Sequence, residues 1–211
     1  MNAKVYPVVF MVVASTVATA LLTGAQIVLR PKIVVNEQAR MQRARLDGLG
    51  LLPPEATVEQ VQEIYKKQVK TAKVDDQEAY FGLGEDGQVK AVGLEFAGMG
   101  FWGPIKGLLS LNPKLDEIEG IVFIEQQETP GLGARMMDPW FRDQFKKKKA
   151  EKLTWLPEGT GAEGPTQVNA ISGATRTTDS LKTILNQQID EFQKLAPALR
   201  KEMGSDAGGG E

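Results

Sequence analysis

The stretch NAISGATRTT, residues 169–178, carries hydroxyl side chains around a Gly-Ala pair, at Ser172, Thr175, Thr177 and Thr178. Hydroxyl groups can donate hydrogen bonds to a phosphate, act as nucleophiles beside a base, or cap a helix. The predicted secondary structure around the stretch indicates which of these roles is possible.

The chain has 211 residues and contains neither His nor Cys. This composition excludes a Ser-His-Asp triad, a histidine general base, disulfides, iron–sulfur ligation and any His or Cys metal ligand. Demanding chemistry must therefore use carboxylates, amines or hydroxyls, or come from a bound cofactor. The formal charge of −2 and the lack of a basic stripe predict that the chain does not bind nucleic acid.

An uncharged run over residues 5–29 is long enough to cross a bilayer as one helix. We predict a transmembrane anchor over residues 1–29; the alternative is a cleaved signal peptide, whose apolar region would be shorter. Lys4 and the amino terminus precede the run, whereas Arg30, Lys32 and several arginines follow it. The positive-inside rule alone would therefore place the body in the cytoplasm.

The rest of the chain predicts a helical stalk over residues 30–50, one domain over 51–195 and a flexible tail over 196–211. Thr57 and Gln60 form a capping-box pattern at a helix start. Strand-like runs flank the turn signal Asp86-Gly87, and two further runs, LLSL and IEGIVFIEQ, follow. These features indicate an α+β fold on an antiparallel sheet.

The second half of this domain adds two predicted helices. Asp138 and Pro139 suit the N-cap and first position of one, which we expect to end in the lysine run 146–149. The short strand TQVNAI leads into the hydroxyl-rich stretch, and an amphipathic helix follows it. The glycine-flanked Phe101 and Trp102 are expected in the core.

This order places the hydroxyl-rich stretch at the amino end of the last long helix. The free N–H groups there favour a phosphate, to which Ser172, Thr177 and Thr178 could donate, and whose charge Arg176 could offset. The simpler interpretation is that Thr177 or Thr178 caps the helix and Gly173 shapes the turn. The residues alone favour the cap.

Two motifs resemble the FMN-binding domain family, which includes the G subunit of the Rnf complex and the C subunit of the sodium-pumping NADH:quinone oxidoreductase. SGATRTT, residues 172–178, resembles the Ser/Thr-Gly-Ala-Thr flavinylation motif, and ETPGLGARM, residues 128–136, resembles the family's Glu-Thr-Pro-Gly-Leu-Gly segment. The stretch from GMGFWGPIKG to IVFIEQQ resembles the region ahead of that segment, in order and spacing.

The resemblance implies that Thr175 carries FMN through a phosphoester bond, installed by a flavin transferase that uses FAD. The other cofactor-binding residues that we expect come from the two motifs: Ser172, Gly173, Ala174, Arg176, Thr177, Thr178, Glu128, Thr129, Gly131, Leu132 and Gly133. Pro130 and Gly131 also fit the central positions of a type II turn. Leu132 could cover one face of the flavin, and Glu128 could bind the flavin or tune its potential. No catalytic or metal-binding side chain is expected.

The sequence departs from the family pattern at two places. Asn169 stands where an Asp often precedes the modified Thr by six residues, and it keeps the shape of that side chain but not its charge. Gln126 and Gln127 occupy the region where a His often precedes the Glu-Thr-Pro-Gly segment. A proton-handling role for that His therefore cannot be transferred to this chain.

The resemblance implies an electron-relay component of an ion-pumping membrane complex, with other membrane subunits and lipid as partners and the domain on the periplasmic side. That placement overrides the charge bias around the anchor. Between the two complexes, the glycine-rich GFWGPIKGLL favours the ferredoxin:NAD-type Rnf complex, whereas GFW and LNPKLDEIEGI also resemble the quinone-reductase subunit, which is the alternative complex. Two alternatives remain: a flavin-free anchored scaffold, and a hydrolase that uses Ser172 with a lysine base.

Overall fold

A computed structural model describes residues 5–205, which divide into one unit up to Arg40 and a second from Met41 onward. Residues 1–4 of the predicted anchor and 206–211 of the predicted tail lie outside the described residues. Helix α1 runs over Tyr6–Gly48, so the predicted anchor and stalk are one continuous helix. It ends at the Gly-rich stretch, as the sequence predicts.

The first unit contains one helical segment, Tyr6–Arg30, that is long and apolar enough to cross a membrane. Its large apolar side chains are exposed within the chain, as lipid-facing side chains would be. The hydroxyls of Ser15 and Thr16 both donate to the Val12 carbonyl, so these polar groups are satisfied inside the helix.

The second unit is built on a five-stranded antiparallel meander in the order β1-β2-β3-β4-β5, which confirms the predicted fold class. The strands are β1 (Val69–Val74), β2 (Gln77–Leu83), β3 (Val89–Met99), β4 (Pro104–Leu111) and β5 (Ile118–Glu125). Helix α2 (Val58–Gln68) precedes them, and both hydrogen bonds of the Thr57–Gln60 capping box are present. Strand β1 was not predicted, because its lysines suit an exposed edge and hide the strand pattern.

Three helical segments and a two-stranded parallel sheet complete the unit. They are a 3-10 helix (Gly133–Met137), α3 (Pro139–Asp143), β6 (Thr154–Leu156), β7 (Gln167–Asn169) and α4 (Thr175–Ser205). Asp138 and Pro139 do begin α3, but the helix ends at Asp143 rather than in the lysine run. That part of the prediction is wrong, because residues 147 and 148 hydrogen bond to the start of β5 instead.

Both faces of the meander are covered. The larger core joins one face to α4 and to an aromatic cluster that includes Phe141, Phe145 and Trp155. A smaller core around Tyr80 and Leu108 covers the other face with Leu49. Residues 41–50 and the buried Leu199 therefore belong to the compact body, which extends beyond the predicted boundaries of 51 and 195 at both ends.

Candidate cofactor site

An open cavity of about 330 Å³ lies where three separate segments meet: the β3–β4 turn, the loop after β5 and the start of α4. This volume falls within the range of small-molecule sites. The cavity is lined by Phe101, Trp102, Glu128, Thr129, Leu132, Gly133, Gly173, Ala174, Thr175, Arg176 and Thr177.

These three segments meet because α4 crosses the end of β3. Gly98 has no side chain at the crossing, and a Cβ there would overlap Ile184 of α4. This close approach places the first turn of α4 beside the tight β3–β4 turn, which is closed by a hydrogen bond from Gly100 N to Gly103 O of 2.8 Å.

Glu128 joins the three segments by hydrogen bonds. Its Oε1 accepts from the backbone N–H groups of Phe101, at 2.8 Å, and Trp102, at 3.0 Å. Its Oε2 accepts from the Thr177 hydroxyl at 2.5 Å, and its own N–H donates to Gln126 Oε1 at 2.6 Å. The side chain predicted to bind or tune a flavin is thus 4% exposed and bound to the protein on both oxygens.

The predicted type II turn after Glu128 is confirmed. Leu132 N donates to Thr129 O at 3.1 Å, and Gly131 has a φ of 75°, which a type II turn requires at its third position. Ala134 N donates to the same carbonyl at 3.2 Å. The turn presents the half-exposed Leu132 to the cavity.

Thr175 is the first residue of α4, and its exposed side chain lines the cavity. The first intrahelical bond of α4 runs from Thr178 N to Ala174 O, at 2.9 Å. The N–H groups before it have no intrahelical acceptor and form the positive end of a 31-residue helix. An anion bound beside Thr175 is therefore favoured electrostatically.

Thr177 and Thr178 do not cap α4, contrary to the simpler interpretation of the sequence. Both are buried within the first turn, because the helix begins earlier, at Thr175. Thr178 Oγ1 accepts a hydrogen bond from Ile171 N at 3.2 Å and holds the incoming chain. Gly173 has a φ of 76° and does shape the turn, as expected.

A second carboxylate holds the same loop from outside. Glu158 forms a two-point ion pair with Arg135 at 2.6 and 3.1 Å, and its Oε2 accepts from Ser172 N at 2.7 Å. The hydrogen bonds from Arg135 and then Ser172 N lower the pKa of Glu158. Glu158 is therefore held as a carboxylate that ties the segment 128–136 to the hydroxyl-rich stretch.

Phe101 and Trp102 are the site residues that the sequence interpretation missed. They are 43% and 63% exposed, so their expected place in the core is wrong. Their backbone N–H groups bind Glu128, and both side chains line the cavity with ring centroids 4.6 Å apart. The Arg176 guanidinium lies 5.2 Å from the Phe101 ring centroid, within cation–π distance. The flanking glycines were the available signal.

Most of the residues predicted to bind a cofactor line the cavity, and three do not. Ser172 is exposed beside Glu158, Gly131 forms the turn, and Thr178 is buried. Asn169 ends β7; its backbone pairs with the Gln144 side chain, and its Oδ1 is enclosed without a hydrogen-bond partner among the described residues. No cluster of His, Cys, Asp or Glu that could hold a metal occurs within residues 5–205.

Comparison with known proteins agrees with this geometry. Residues 100–190, which contain every residue of the cavity lining, match the FMN-binding domain family. These residues resemble an FMN-binding domain. The resemblance predicted from the two motifs is thereby confirmed.

The similar proteins come from two kinds of complex. The chain is 24% identical to the C subunit of the Na(+)-translocating NADH-quinone reductase of Pasteurella multocida, over 81% of this chain and 84% of that protein. It is 38% identical to the G subunit of the Na(+)-translocating ferredoxin:NAD(+) oxidoreductase complex of Acetobacterium woodii, over 37% of this chain and 38% of that protein. The second alignment thus spans less than half of either chain.

The fold is also that of a solved relative. The crystal structure of NqrC from Shewanella oneidensis superposes with a TM-score of 0.69 at 21% identity, covering 78% of this chain and 99% of that one. The α+β architecture is therefore shared with that protein.

Proposed function

We propose that the chain is a membrane-anchored electron-transfer subunit of an ion-translocating oxidoreductase, and that it carries FMN covalently on Thr175. The observation that carries the proposal is the position of the Thr175 hydroxyl. It is exposed, it lies at the first position of a long helix, and it lines the cavity formed by both family motifs.

Attachment through the phosphate suits this position. The Thr175 oxygen would bond to the phosphorus of the FMN half of FAD, the pyrophosphate bond would break, AMP would leave, and the hydroxyl proton would be released. A flavin transferase would catalyse this exchange. The product phosphodiester keeps a negative charge next to the free N–H groups of α4, where that charge is stabilised.

The residues around Thr175 fit the remaining parts of FMN. Arg176 supplies a cation next to the attachment point, and Phe101, Trp102 and Leu132 supply exposed apolar surface for a flat ring. The bound FMN would accept and release electrons one or two at a time. The protein contributes position and electrostatics, so the lack of histidine is no obstacle.

We place the FMN-binding domain on the periplasmic side of the membrane, with Tyr6–Arg30 as the anchor. Resemblance to proteins of the two complexes supports this orientation, although the charges around the helix favour the opposite one. A reporter enzyme that functions only outside the cytoplasm, fused to the carboxyl terminus, should be active. Activity only of a cytoplasmic reporter would reverse the placement.

The two candidate complexes receive different support. The glycine-rich segment and the 38% identity to the Acetobacterium woodii protein support an Rnf-type complex. The alignment along most of the Pasteurella multocida protein supports an NADH-quinone reductase, and we favour this complex because that alignment covers the larger share of both chains. Purification of the native complex through a tag on this chain, followed by NADH:quinone and ferredoxin:NAD assays, distinguishes them.

The intact mass of the chain tests the flavin assignment. Produced in a host with the flavin transferase, the wild-type chain should gain the mass of one FMN less one water. Thr175→Val should gain nothing, whereas Thr175→Ser should still be modified because it retains a hydroxyl. Thr183→Val is the matched control, since Thr183 is an exposed threonine of α4 outside the cavity lining.

A flavin-free scaffold is the competing function, and it predicts an unmodified and colourless wild-type chain under the same conditions. Modification of Thr175→Val would leave the flavoprotein assignment but move the attachment site.

A further inference from the structure

Glu128 has almost no remaining capacity to bind a cofactor. A carboxylate oxygen offers two lone pairs. The two on Oε1 receive the N–H groups of Phe101 and Trp102, and one of those on Oε2 receives the Thr177 hydroxyl. The residue is also 4% exposed, although it contributes to the cavity wall.

The three partners of Glu128 come from segments that are far apart in sequence. Phe101 and Trp102 lie 27 and 26 residues before it, and Thr177 lies 49 residues after it. Glu128 thus hydrogen bonds to both the β3–β4 turn and the first turn of α4, which are also in contact through Arg176 and the Phe101 ring. Each turn supplies one wall of the cavity.

Two glycines allow these segments to close around Glu128. A Cβ on Gly100 would lie 2.5 Å from Glu128 Oε1, and a Cβ on Gly133 would lie 2.5 Å from Thr177 Oγ1 and 2.9 Å from Glu128 Oε2. Any side chain at either position would therefore have to displace Glu128 or its partner. Glycine at both positions leaves room for this carboxylate and its hydrogen-bond partners.

We infer that Glu128 is a positioning residue: it assembles the cavity before the cofactor arrives and does not itself bind the flavin. In this role it fixes the position of the Phe101–Trp102 pair relative to the first turn of α4. The inference rests on the proposed function for its purpose, but the hydrogen bonds of Glu128 join protein atoms and can be tested without flavin.

Amide hydrogen exchange provides the flavin-free test. The full chain carrying Thr175→Val, in detergent, should show protected amides at residues 101 and 102. Adding Glu128→Ala should accelerate their exchange about tenfold or more, because the hydrogen bonds to the charged acceptor are lost. Adding Glu128→Gln should change it much less, since the amide oxygen can still accept both N–H groups and the NH₂ can donate to Thr177.

The controls separate local opening from general unfolding. Amides of β4 such as Leu108 and Leu109 should stay protected in all variants that remain folded. Glu125 lies three residues before Glu128 and forms an exposed ion pair with Lys106. Glu125→Gln should therefore leave the exchange rates at residues 101 and 102 unchanged. Should Glu128→Ala fail to fold, Thr177→Val supplies a milder loss, expected to loosen the first turn of α4, with Thr177→Ser as its rescue.

The flavin's midpoint potential in the loaded chain separates positioning from direct tuning. If Glu128 acts by position, Glu128→Gln keeps a potential close to that of the wild type and Glu128→Ala shifts it. If its charge acts on the flavin directly, Glu128→Gln shifts the potential as far as Glu128→Ala does. That second result, or unchanged exchange at residues 101 and 102 in Glu128→Ala, overturns the inference. An unmodified wild-type chain would defeat the flavin assignment but leave the exchange result standing.

Discussion

Arg135 and Glu158 form a two-point ion pair across 23 residues of sequence, and the same carboxylate accepts the Ser172 N–H at 2.7 Å. Arg135 lies near the end of the first family motif, and Ser172 begins the second. The pair therefore connects the two motifs outside the cavity, while Glu128 and Thr177 connect them within it.

The first prediction concerns the pH dependence of this pair. Its hydrogen bonds lower the pKa of Glu158 in the folded chain, so folding favours the ionised carboxylate. This stabilisation is complete above the unfolded pKa of about 4.3 and is lost as the pH falls through the lower folded value. Glu158→Gln should therefore lower the thermal midpoint of the full chain at pH 7, and the difference from wild type should shrink below about pH 4.3.

Glu163→Gln is the control for this experiment, because Glu163 is an exposed carboxylate of the same loop. It should leave the midpoint nearly unchanged from pH 7 to pH 3. A difference between Glu158→Gln and wild type that stays constant over this range would show that the ion pair does not stabilise the fold.

The second prediction compares two neighbouring glycines. Gly133→Ala places a methyl group 2.5 Å from Thr177 Oγ1, and it should destabilise the chain by about 1–3 kcal/mol, the usual cost of overpacking. Gly131→Ala meets no atom within 4 Å but must keep a φ of 75°, which costs roughly 1 kcal/mol. In denaturant unfolding, Gly133→Ala should have a lower free energy of unfolding than Gly131→Ala. The reverse order would contradict the packing around Glu128.

The third prediction separates the fold from the site by two aromatic substitutions. Trp102 is 63% exposed, so Trp102→Ala should change the free energy of unfolding by no more than about 0.5 kcal/mol. Phe145 is fully buried among other rings, and Phe145→Ala should cost about 3–5 kcal/mol.

A second measurement on the Trp102 variant is the visible circular dichroism of the chain carrying FMN. Trp102→Ala should alter the flavin bands, because it removes an aromatic wall of the cavity. A spectrum identical to that of wild type would place the flavin ring away from Trp102.

The fourth prediction concerns a buried hydroxyl in β4. Ser110 is inaccessible to solvent, and its Oγ hydrogen bonds to the Gly48 carbonyl and lies 3.2 Å from the Gly120 carbonyl. Ser110→Ala should destabilise the chain by about 1–3 kcal/mol, since it leaves a buried acceptor unpaired. Ser180→Ala, a partly exposed serine of α4, should have little effect in the same unfolding measurement. Equal stability of wild type and Ser110→Ala would show that this hydrogen bond contributes nothing.

Several elements were predictable because their signals are local. The capping box at Thr57 needs only two side chains three residues apart, and the turn at Gly131 needs one backbone conformation that glycine adopts readily. The apolar run before Arg30 is likewise a property of composition. The family resemblance rests on short contiguous motifs of the same kind.

Other features depended on contacts between distant segments. The strand β1 was missed because its lysines are tolerated at a sheet edge, and the lysine run after α3 was assigned to a helix although its backbone pairs with β5. The start of α4 was placed too late, since Thr177 and Thr178 resemble caps but their hydroxyls bond to Glu128 and Ile171 N.

The amino-acid sequence alone determined the motifs, the sheet class and the apolar helix, because each depends on residue type and short spacing; the proposal of Thr175 comes from the resemblance of such a motif. Only the tertiary structure decided that Phe101 and Trp102 line the cavity and that Glu128 faces the protein. There, α4 approaches β3 at Gly98, and the Thr177 hydroxyl of α4 and the Phe101 and Trp102 N–H groups of the β3–β4 turn surround one carboxylate. Residue spacing along the chain contains no information about that approach.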